Sequence, residues 1–157
     1  MPSLYLENSV LSYLAARPAR DLVTAARQQV TRDWWASRRF RFTLYVSQVV
    51  LDEAARGDPT AAARRLAYVA GVPLLDVTDA ATGLARRLEA LAAFPAKADI
   101  DALHVAVATV HGMDYLLTWN LRHIANAEQR PLIEEGCRSA GYRAPVICTP
   151  DELMGGS

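Results

Sequence analysis

The chain has 157 residues, 52% of them hydrophobic, and its 17 basic and 17 acidic residues leave no formal net charge. This size suits one globular domain over residues 1–157, with a frayed tail at 152–157. The neutral balance excludes binding to nucleic acid through net charge alone, so any polyanion site has to be local. The sequence contains no leader pattern and no run of ~20 apolar residues, which favours a cytoplasmic protein without membrane contact.

The first part of the chain predicts a strand, two helices and a second strand. Residues 3–6 form a short apolar run that stops at Glu7, and residues 10–14 continue with helical spacing. Residues 20–39 have apolar side chains at three-to-four spacing, which predicts a long amphipathic helix. Residues 42–46 are aromatic and β-branched, as in a strand.

The rest of the chain continues this alternation. Ser47 is expected to cap a helix that includes Ala54, and Asp58 before Pro59 begins the next helix. The remaining predicted elements are a strand at 72–75, a helix from Thr78 to about Ala93, a connector at 94–97, a helix at 99–111 ended by Gly112, a strand at 115–118, a loop or short helical turn at 119–123, a helix at 127–140 and a last strand at 146–148.

Short apolar strands that alternate with helices indicate an α/β domain with a mostly parallel sheet. In such sheets, ligands bind beyond the carboxyl ends of the strands, near the point where the strand order reverses. Candidate chemistry is therefore expected there. Cys137 and Cys148 fit neither a CxxC pair nor a disulfide framework, and we expect both to be reduced.

Four oxygen-bearing side chains could converge on that end of the sheet. Glu7 follows the first strand, Glu53 lies in the helix after the second, Asp101 begins the helix before the fourth, and Asn120 follows the fourth. Oxygen ligands without paired histidines or cysteines suit hard divalent cations such as Mg²⁺ or Mn²⁺. Such an ion can activate water for attack on a phosphodiester.

Each of these acids also has a plain structural explanation. Glu7 and Asp101 lie at helix starts, where acids are common as caps or dipole partners, and Glu53 could face solvent. His104 lies three residues after Asp101 on the same helix face. It could bind phosphate or transfer a proton, or it could donate a hydrogen bond in the core or orient a neighbouring acid.

The ordered motifs resemble those of PIN domains. Residues 5–14, YLENSVLSYL, resemble the opening strand and its acid, and Ser47 with Glu53 resembles the second motif. Residues 101–108, DALHVAVA, are similar to the third, and residues 114–120, DYLLTWN, to the fourth. Together the motifs span residues 4 to about 124, most of the chain.

This resemblance implies a Rossmann-like α/β/α fold and a VapC-like endoribonuclease that uses Mg²⁺ or Mn²⁺. Many such proteins are toxins of type II toxin–antitoxin pairs, bound by an antitoxin, and they are often homodimers. The resemblance places Glu7, Glu53 and Asp101 at the metal and Asn120 in catalysis. The implied supporting residues of the pocket are Ser9, Ser47, His104 and Thr118.

Two positions depart from the family pattern. Glu7 stands where Asp is commonest, which moves the carboxylate out by one methylene, and Asn120 stands where many members have Asp. An amide brings no negative charge, so one well-held ion is favoured over two. These departures leave open a catalytically weak or inactive PIN scaffold that binds RNA or an antitoxin. A receiver-like signalling domain is a more distant alternative, because it would need an Asp at the strand end.

Residues 17–41 contain the basic part of this neutral protein, with seven arginines and two aspartates. Arginine pairs with phosphate and stacks on bases, so Arg32, Arg38, Arg39 and Trp35 form a candidate RNA path. The alternatives are a solvated helix face with one Trp in the core, or a helix groove for an antitoxin.

Overall fold

The computed structural model of the chain describes residues 1–91, 93–95 and 97–155. Five strands form one sheet in the order β3-β2-β1-β4-β5, and every adjacent pair is parallel. The strands are β1 (Ser3–Leu6), β2 (Thr43–Ser47), β3 (Leu74–Leu75), β4 (Tyr115–Leu117) and β5 (Val146–Cys148). The predicted α/β class with a parallel sheet is confirmed.

In the described part of the chain, seven helices connect and cover the strands. They are α1 (Asn8–Ala15), α2 (Leu22–Ser37), α3 (Gln48–Ala54), α4 (Pro59–Tyr68), α5 (Asp79–Ala90), α6 (Asp99–Val110) and α7 (Gln129–Ser139), with 3₁₀ segments at Arg39–Arg41 and Pro150–Leu153. Within the described ranges, no helix has the length and apolar character needed to cross a membrane.

The strand order reverses between β1 and β4. From β1 the chain builds outward to β2 and β3, and it then returns to build β4 and β5 on the other side. Because parallel crossovers are right-handed, the two halves place their helices on opposite faces of the sheet. The helices accordingly pack in two groups, with α1, α2 and α4 together and α5, α6 and α7 together. Residues Leu4, Tyr5 and Leu6 are fully buried, as expected for a central strand covered on both faces.

Helices α2, α4 and α5 begin after capping side chains, and the caps of α4 and α5 are the predicted Asp58 and Thr78. Side chains of Asp21, Asp58 and Thr78 accept hydrogen bonds from backbone amides in the first turns of α2, α4 and α5, at 2.9, 2.9 and 3.2 Å. After α6, Gly112 has φ +69°, the left-handed conformation that glycine tolerates best at a helix end. It turns the chain toward β4.

Several predicted boundaries differ from the structure: α2 spans Leu22–Ser37 where 20–39 was predicted, and β3 spans Leu74–Leu75 where 72–75 was predicted. Helix α5 ends at Ala90, before the predicted Ala93, and the 3₁₀ segment Pro150–Leu153 lies partly in the tail that was expected to fray. The Thr149 amide donates to Oε1 of Glu152 at 3.0 Å, which completes a capping box and orders this segment. Residues 92 and 96 of the predicted helix and connector, and residues 156 and 157 of the predicted tail, lie outside the described residues.

Candidate metal centre

The ends of β1, β2 and β4 meet where the strand order reverses. Leu6 pairs with Leu117, so Glu7 and Thr118 are the next residues of two adjacent strands. The Glu7 amide extends this ladder by donating to the Leu117 carbonyl at 3.1 Å. Ser47 ends β2 on the other side of β1. The topology therefore places the first acidic motif at the edge where parallel sheets bind ligands.

Hydrogen bonds fix the Glu7 carboxylate in one orientation. Glu7 is the N-cap of α1, and its Oε2 accepts from the Ser9 amide at 3.1 Å. Its Oε1 accepts from the Ser9 hydroxyl and, at 2.6 Å, from the Thr118 hydroxyl. The Ser9 hydroxyl in turn accepts from the Trp119 amide at 2.7 Å. Glu7 is only 4% exposed, so these donors take the place of water around its carboxylate.

Glu53 is held by a chain of buried polar groups. Its Oε1 is hydrogen-bonded to Nε2 of His104, whose Nδ1 lies 2.7 Å from the Tyr5 hydroxyl. That hydroxyl lies 2.8 Å from Oγ of Ser47. Burial raises the pKa of Tyr5 far above its ordinary value, so the phenol is neutral across the physiological range. Ser47 occupies the predicted N-cap position of α3, but its side chain makes no cap hydrogen bond because it contacts Tyr5 instead.

Glu7, Glu53 and His104 form the one group in the described residues with the spacing of a metal site. One potential ligand atom from each lies within 4.8 Å of the others. No arginine or lysine of the described part of the chain forms an ion pair with either glutamate. Two carboxylates this close repel each other unless a cation or proton lies between them. The donor set therefore fits a hard divalent cation.

Asp101 and Asn120 lie beside this group but have other partners. Oδ2 of Asp101 is 2.8 Å from Nδ1 of His123, and Oδ1 of Asn120 accepts from the His123 amide at 3.0 Å. The Asn120 amide donates to the Thr118 hydroxyl at 2.9 Å, which connects this arrangement to Glu7. The structure thus brings Glu7 and Glu53 together with His104. Asp101 is hydrogen-bonded instead to His123, which the sequence analysis did not single out.

All four predicted supporting residues lie at this edge and are hydrogen-bonded. Ser9 and Thr118 contact Glu7, His104 contacts Glu53, and Ser47 contacts Tyr5. Tyr5 itself was not predicted from sequence as part of the site, because it was assigned only to an apolar strand. The available signal was alternation, because Tyr5 is two residues before Glu7 and the two side chains share a face of β1.

Comparison with known proteins tests the fold. No protein-family model matches the chain, and no curated protein matches it. Among solved structures, the chain is similar to a chain of FitAB bound to an IR36 DNA fragment, with a TM-score of 0.59 and 16% sequence identity. The match covers 98% of this chain and 99% of that chain. This likeness, together with the five-stranded parallel sheet, confirms the predicted α/β fold. At this identity the likeness concerns the backbone arrangement alone.

The predicted RNA-binding residues lie away from the acids. Trp34 is fully buried, whereas Trp35 stacks under the Arg39 guanidinium at 4.6 Å. Arg39 also donates to the Trp35 carbonyl at 2.6 Å, and it lies in the 3₁₀ segment that enters β2 at the amino edge of the sheet, opposite Glu7. Arg38 immediately precedes that segment, and Arg32 donates to the Ala16 carbonyl at 3.3 Å.

Arg27, which lies in α2, is closer to the acidic group than the predicted RNA-binding residues are. The guanidinium carbon of Arg27 is 5.5 Å from the centre of the Trp119 ring, and Trp119 directly follows Thr118. Trp119 is anchored by its indole nitrogen, which donates to the Thr31 hydroxyl at 2.8 Å. From sequence, Arg27 was distinguished only as one member of the basic segment.

Proposed function

We propose that this chain is a metal-dependent endoribonuclease of the PIN type that hydrolyses RNA phosphodiester bonds. The observation that supports this most is the convergence of a buried Glu7 and a partly exposed Glu53 at the carboxyl edge of the sheet. Two adjacent carboxylates that no arginine or lysine of the described residues neutralises suit Mg²⁺ or Mn²⁺, which prefer oxygen ligands.

The residues divide into holding and positioning roles. Glu7 and Glu53 hold the ion, and Ser9 and Thr118 fix Glu7 in the required orientation. Asp101 and Asn120, which are linked through His123, contribute at the rim by accepting hydrogen bonds from water. When bound, a divalent cation lowers the pKa of its water and neutralises the leaving oxygen. The Arg27 guanidinium, which lies over the buried Trp119 ring, offers an adjacent positive charge for a phosphate.

The proposal extends to partners. The similar FitAB chain was solved in an assembly bound to DNA, which is consistent with a fold that operates in a complex with nucleic acid. Together with the VapC-like motif order, this supports a toxin role in which a cognate antitoxin protein binds and silences the nuclease. A homodimer and a cytoplasmic location belong to the same proposal.

Cleavage of a mixed pool of tRNA and structured RNA tests the activity. Purified protein is compared in Mg²⁺, in Mn²⁺ and in EDTA with the variants Glu7→Gln and Asp101→Ala. We expect metal-dependent cutting that falls by about 100-fold or more in Glu7→Gln, because an amide removes a charged ligand. Asp101→Ala is also expected to lose activity.

A surface acid provides the matched control. Glu134 is exposed on α7, and Glu134→Gln removes the same charge from a helix that contributes nothing to the acidic pair, so it should cut as the wild type does. Circular dichroism establishes that each variant is folded. Equal cutting by wild type and Glu7→Gln, or cutting that persists in EDTA, would refute the proposed nuclease.

A second candidate function is a PIN scaffold that binds RNA or an antitoxin without cutting. Two observations support this alternative. The Glu7 carboxylate already accepts three hydrogen bonds, and Asp101, the third expected ligand, is paired with His123. RNA binding with no cleavage in Mn²⁺ would select this function.

A further inference from the structure

His104 has a hydrogen-bond partner at each ring nitrogen. The ring is fully buried in α6, with Nε2 on Oε1 of Glu53 and Nδ1 at 2.7 Å from the Tyr5 hydroxyl. A metal ligand would have to present one nitrogen lone pair to the ion. For Nε2, which faces the acidic pair, this means giving up the contact with Glu53.

The arrangement of donors favours one tautomer of the ring. Glu53 is partly exposed, with 22% of its side chain accessible, and a carboxylate only accepts hydrogen bonds. Its partner Nε2 therefore has to carry hydrogen. A neutral ring then has an unprotonated Nδ1, which accepts from the Tyr5 hydroxyl.

Ser47 is the last group in this series of hydrogen bonds, and its contact with Tyr5 sets the direction in which hydrogens are donated. Once the Tyr5 hydroxyl has donated its hydrogen to His104, its oxygen can accept one from Ser47, 2.8 Å away. Hydrogens then run in one direction from Ser47 through Tyr5 and His104 to Glu53. This series of hydrogen bonds includes groups from four elements, namely the end of β2, the middle of β1, α6 and α3. The Tyr5 phenol lies between the groups of β2 and α6 and orients both.

From this geometry, and building on the proposed metal centre, we infer that Tyr5 is a positioning residue that keeps His104 as a donor to Glu53. His104 is then not a ligand, and the ion is held by the two carboxylates of Glu7 and Glu53. Outer partners of this kind orient ligands and typically change metal affinity by about 10- to 100-fold when removed.

Nitrogen NMR of the histidine rings tests the inference without metal or RNA. Protein labelled with ¹⁵N at histidine is measured as wild type, Tyr5→Phe and Tyr68→Phe, and a His104→Gln variant assigns the signal. Tyr68 is the matched control, because its hydroxyl donates to the Leu14 carbonyl at 3.3 Å in another part of the fold.

We expect His104 to carry its hydrogen on Nε2 in the wild type and in Tyr68→Phe, and to show mixed protonation in Tyr5→Phe. A hydrogen on Nδ1 alone in the wild type would overturn the inference, as would an unchanged tautomer in Tyr5→Phe. Ser47→Ala, which leaves the phenol in place, should give a smaller shift of the same kind. If Tyr5→Phe does not fold, Ser47→Ala takes its place, and an unchanged tautomer signal in that variant would overturn the inference.

Titration with Mg²⁺ separates this inference from the proposed function. Binding should move the backbone amide signals of Ser9 and Thr118 while His104 keeps its Nε2 hydrogen. Loss of that hydrogen would make His104 a ligand and overturn the inference. If Mg²⁺ and Mn²⁺ move no signals at the acidic edge, the metal-dependent function fails, and the tautomer comparison still decides the role of Tyr5. Calorimetry should show Mn²⁺ affinity about 10- to 100-fold lower in Tyr5→Phe than in Tyr68→Phe.

Discussion

The Thr118 hydroxyl donates to the Glu7 carboxylate at 2.6 Å, although the two residues are 111 positions apart in the chain. The contact exists because β1 and β4 are adjacent and in register, so that the residues following their ends meet. The same hydroxyl accepts from the Asn120 amide at 2.9 Å. The Thr118 side chain thus positions both the Glu7 carboxylate and the turn that follows β4.

Thr118→Val should therefore impair both metal binding and folding. Valine keeps the shape but removes both hydrogen bonds, and an oxygen of Glu7 loses a donor. We expect Mn²⁺ affinity to fall by about 10- to 100-fold, and the free energy of unfolding to fall by about 1–3 kcal/mol because the Asn120 amide loses its acceptor. Calorimetry and urea denaturation measure the two effects.

Thr118→Ser provides the matched control, because serine retains the hydroxyl and loses only a methyl group. It should bind Mn²⁺ much as the wild type does. If valine and serine behave alike, the hydroxyl does not position Glu7.

The fold was predictable from sequence because its signals are local. The apolar runs of 3–6 and 115–118, the caps Asp58 and Thr78, and the glycine at 112 each depend on residues a few positions apart. The parallel arrangement follows from strands alternating with helices. The end of α5 and the 3₁₀ segment at Pro150–Leu153 were less predictable, because helix ends depend on tertiary contacts.

The site was predictable as a set of residues and less so as a set of contacts. Glu7 and Glu53 could be assigned to one edge because each follows a predicted strand, whereas Ser9 was assigned only through the family resemblance. The pairing of His104 with Glu53 and of His123 with Asp101 joins residues 51 and 22 positions apart, and no periodicity encodes such contacts. Tyr5 was missed because a buried tyrosine in a strand has the same pattern as any apolar core residue.

Asp114→Asn should destabilise the protein at neutral pH and have little effect in acid. Oδ2 of Asp114 accepts from the Ser3 amide at 2.8 Å and from its hydroxyl at 3.1 Å, which join the starts of β4 and β1. These hydrogen bonds, with the more distant Arg143, lower the pKa of Asp114 below its ordinary value.

The sign of the effect follows from that shift. A lowered folded-state pKa contributes stability that is fully present above the ordinary aspartate pKa of about 4 and is lost as the pH falls through the folded value. The difference in Tm between wild type and Asp114→Asn should be clear at about pH 7 and vanish toward about pH 2. A difference that is independent of pH would contradict this assignment.

Cys137 and Cys148 should be inert to alkylation in the native protein. Both thiols are free and buried. Burial raises the pKa of Cys148 to about 12 and also raises the pKa of Cys137. Because the thiolate is the reactive form, labelling by iodoacetamide at about pH 8 should be more than about 100-fold slower than in urea-denatured protein. Rapid labelling of the native protein, detected by mass spectrometry, would place these thiols in accessible positions.

Gly136→Ala should destabilise the packing of α7 against α5, whereas Gly83→Ala should stabilise the protein. A Cβ atom at Gly136 would lie 2.6 Å from Cδ2 of Leu88, a fully buried side chain with little room to move. Overpacking of this kind typically costs about 1–3 kcal/mol of unfolding free energy.

Gly83 is exposed within α5 and has open space where an added methyl group would lie. Alanine there should raise the free energy of unfolding by about 0.5–1 kcal/mol, because it lowers the backbone entropy of the unfolded chain. Urea denaturation of both variants checks the opposite signs, and a Gly136→Ala variant as stable as the wild type would show that the two helices have room for the extra methyl group.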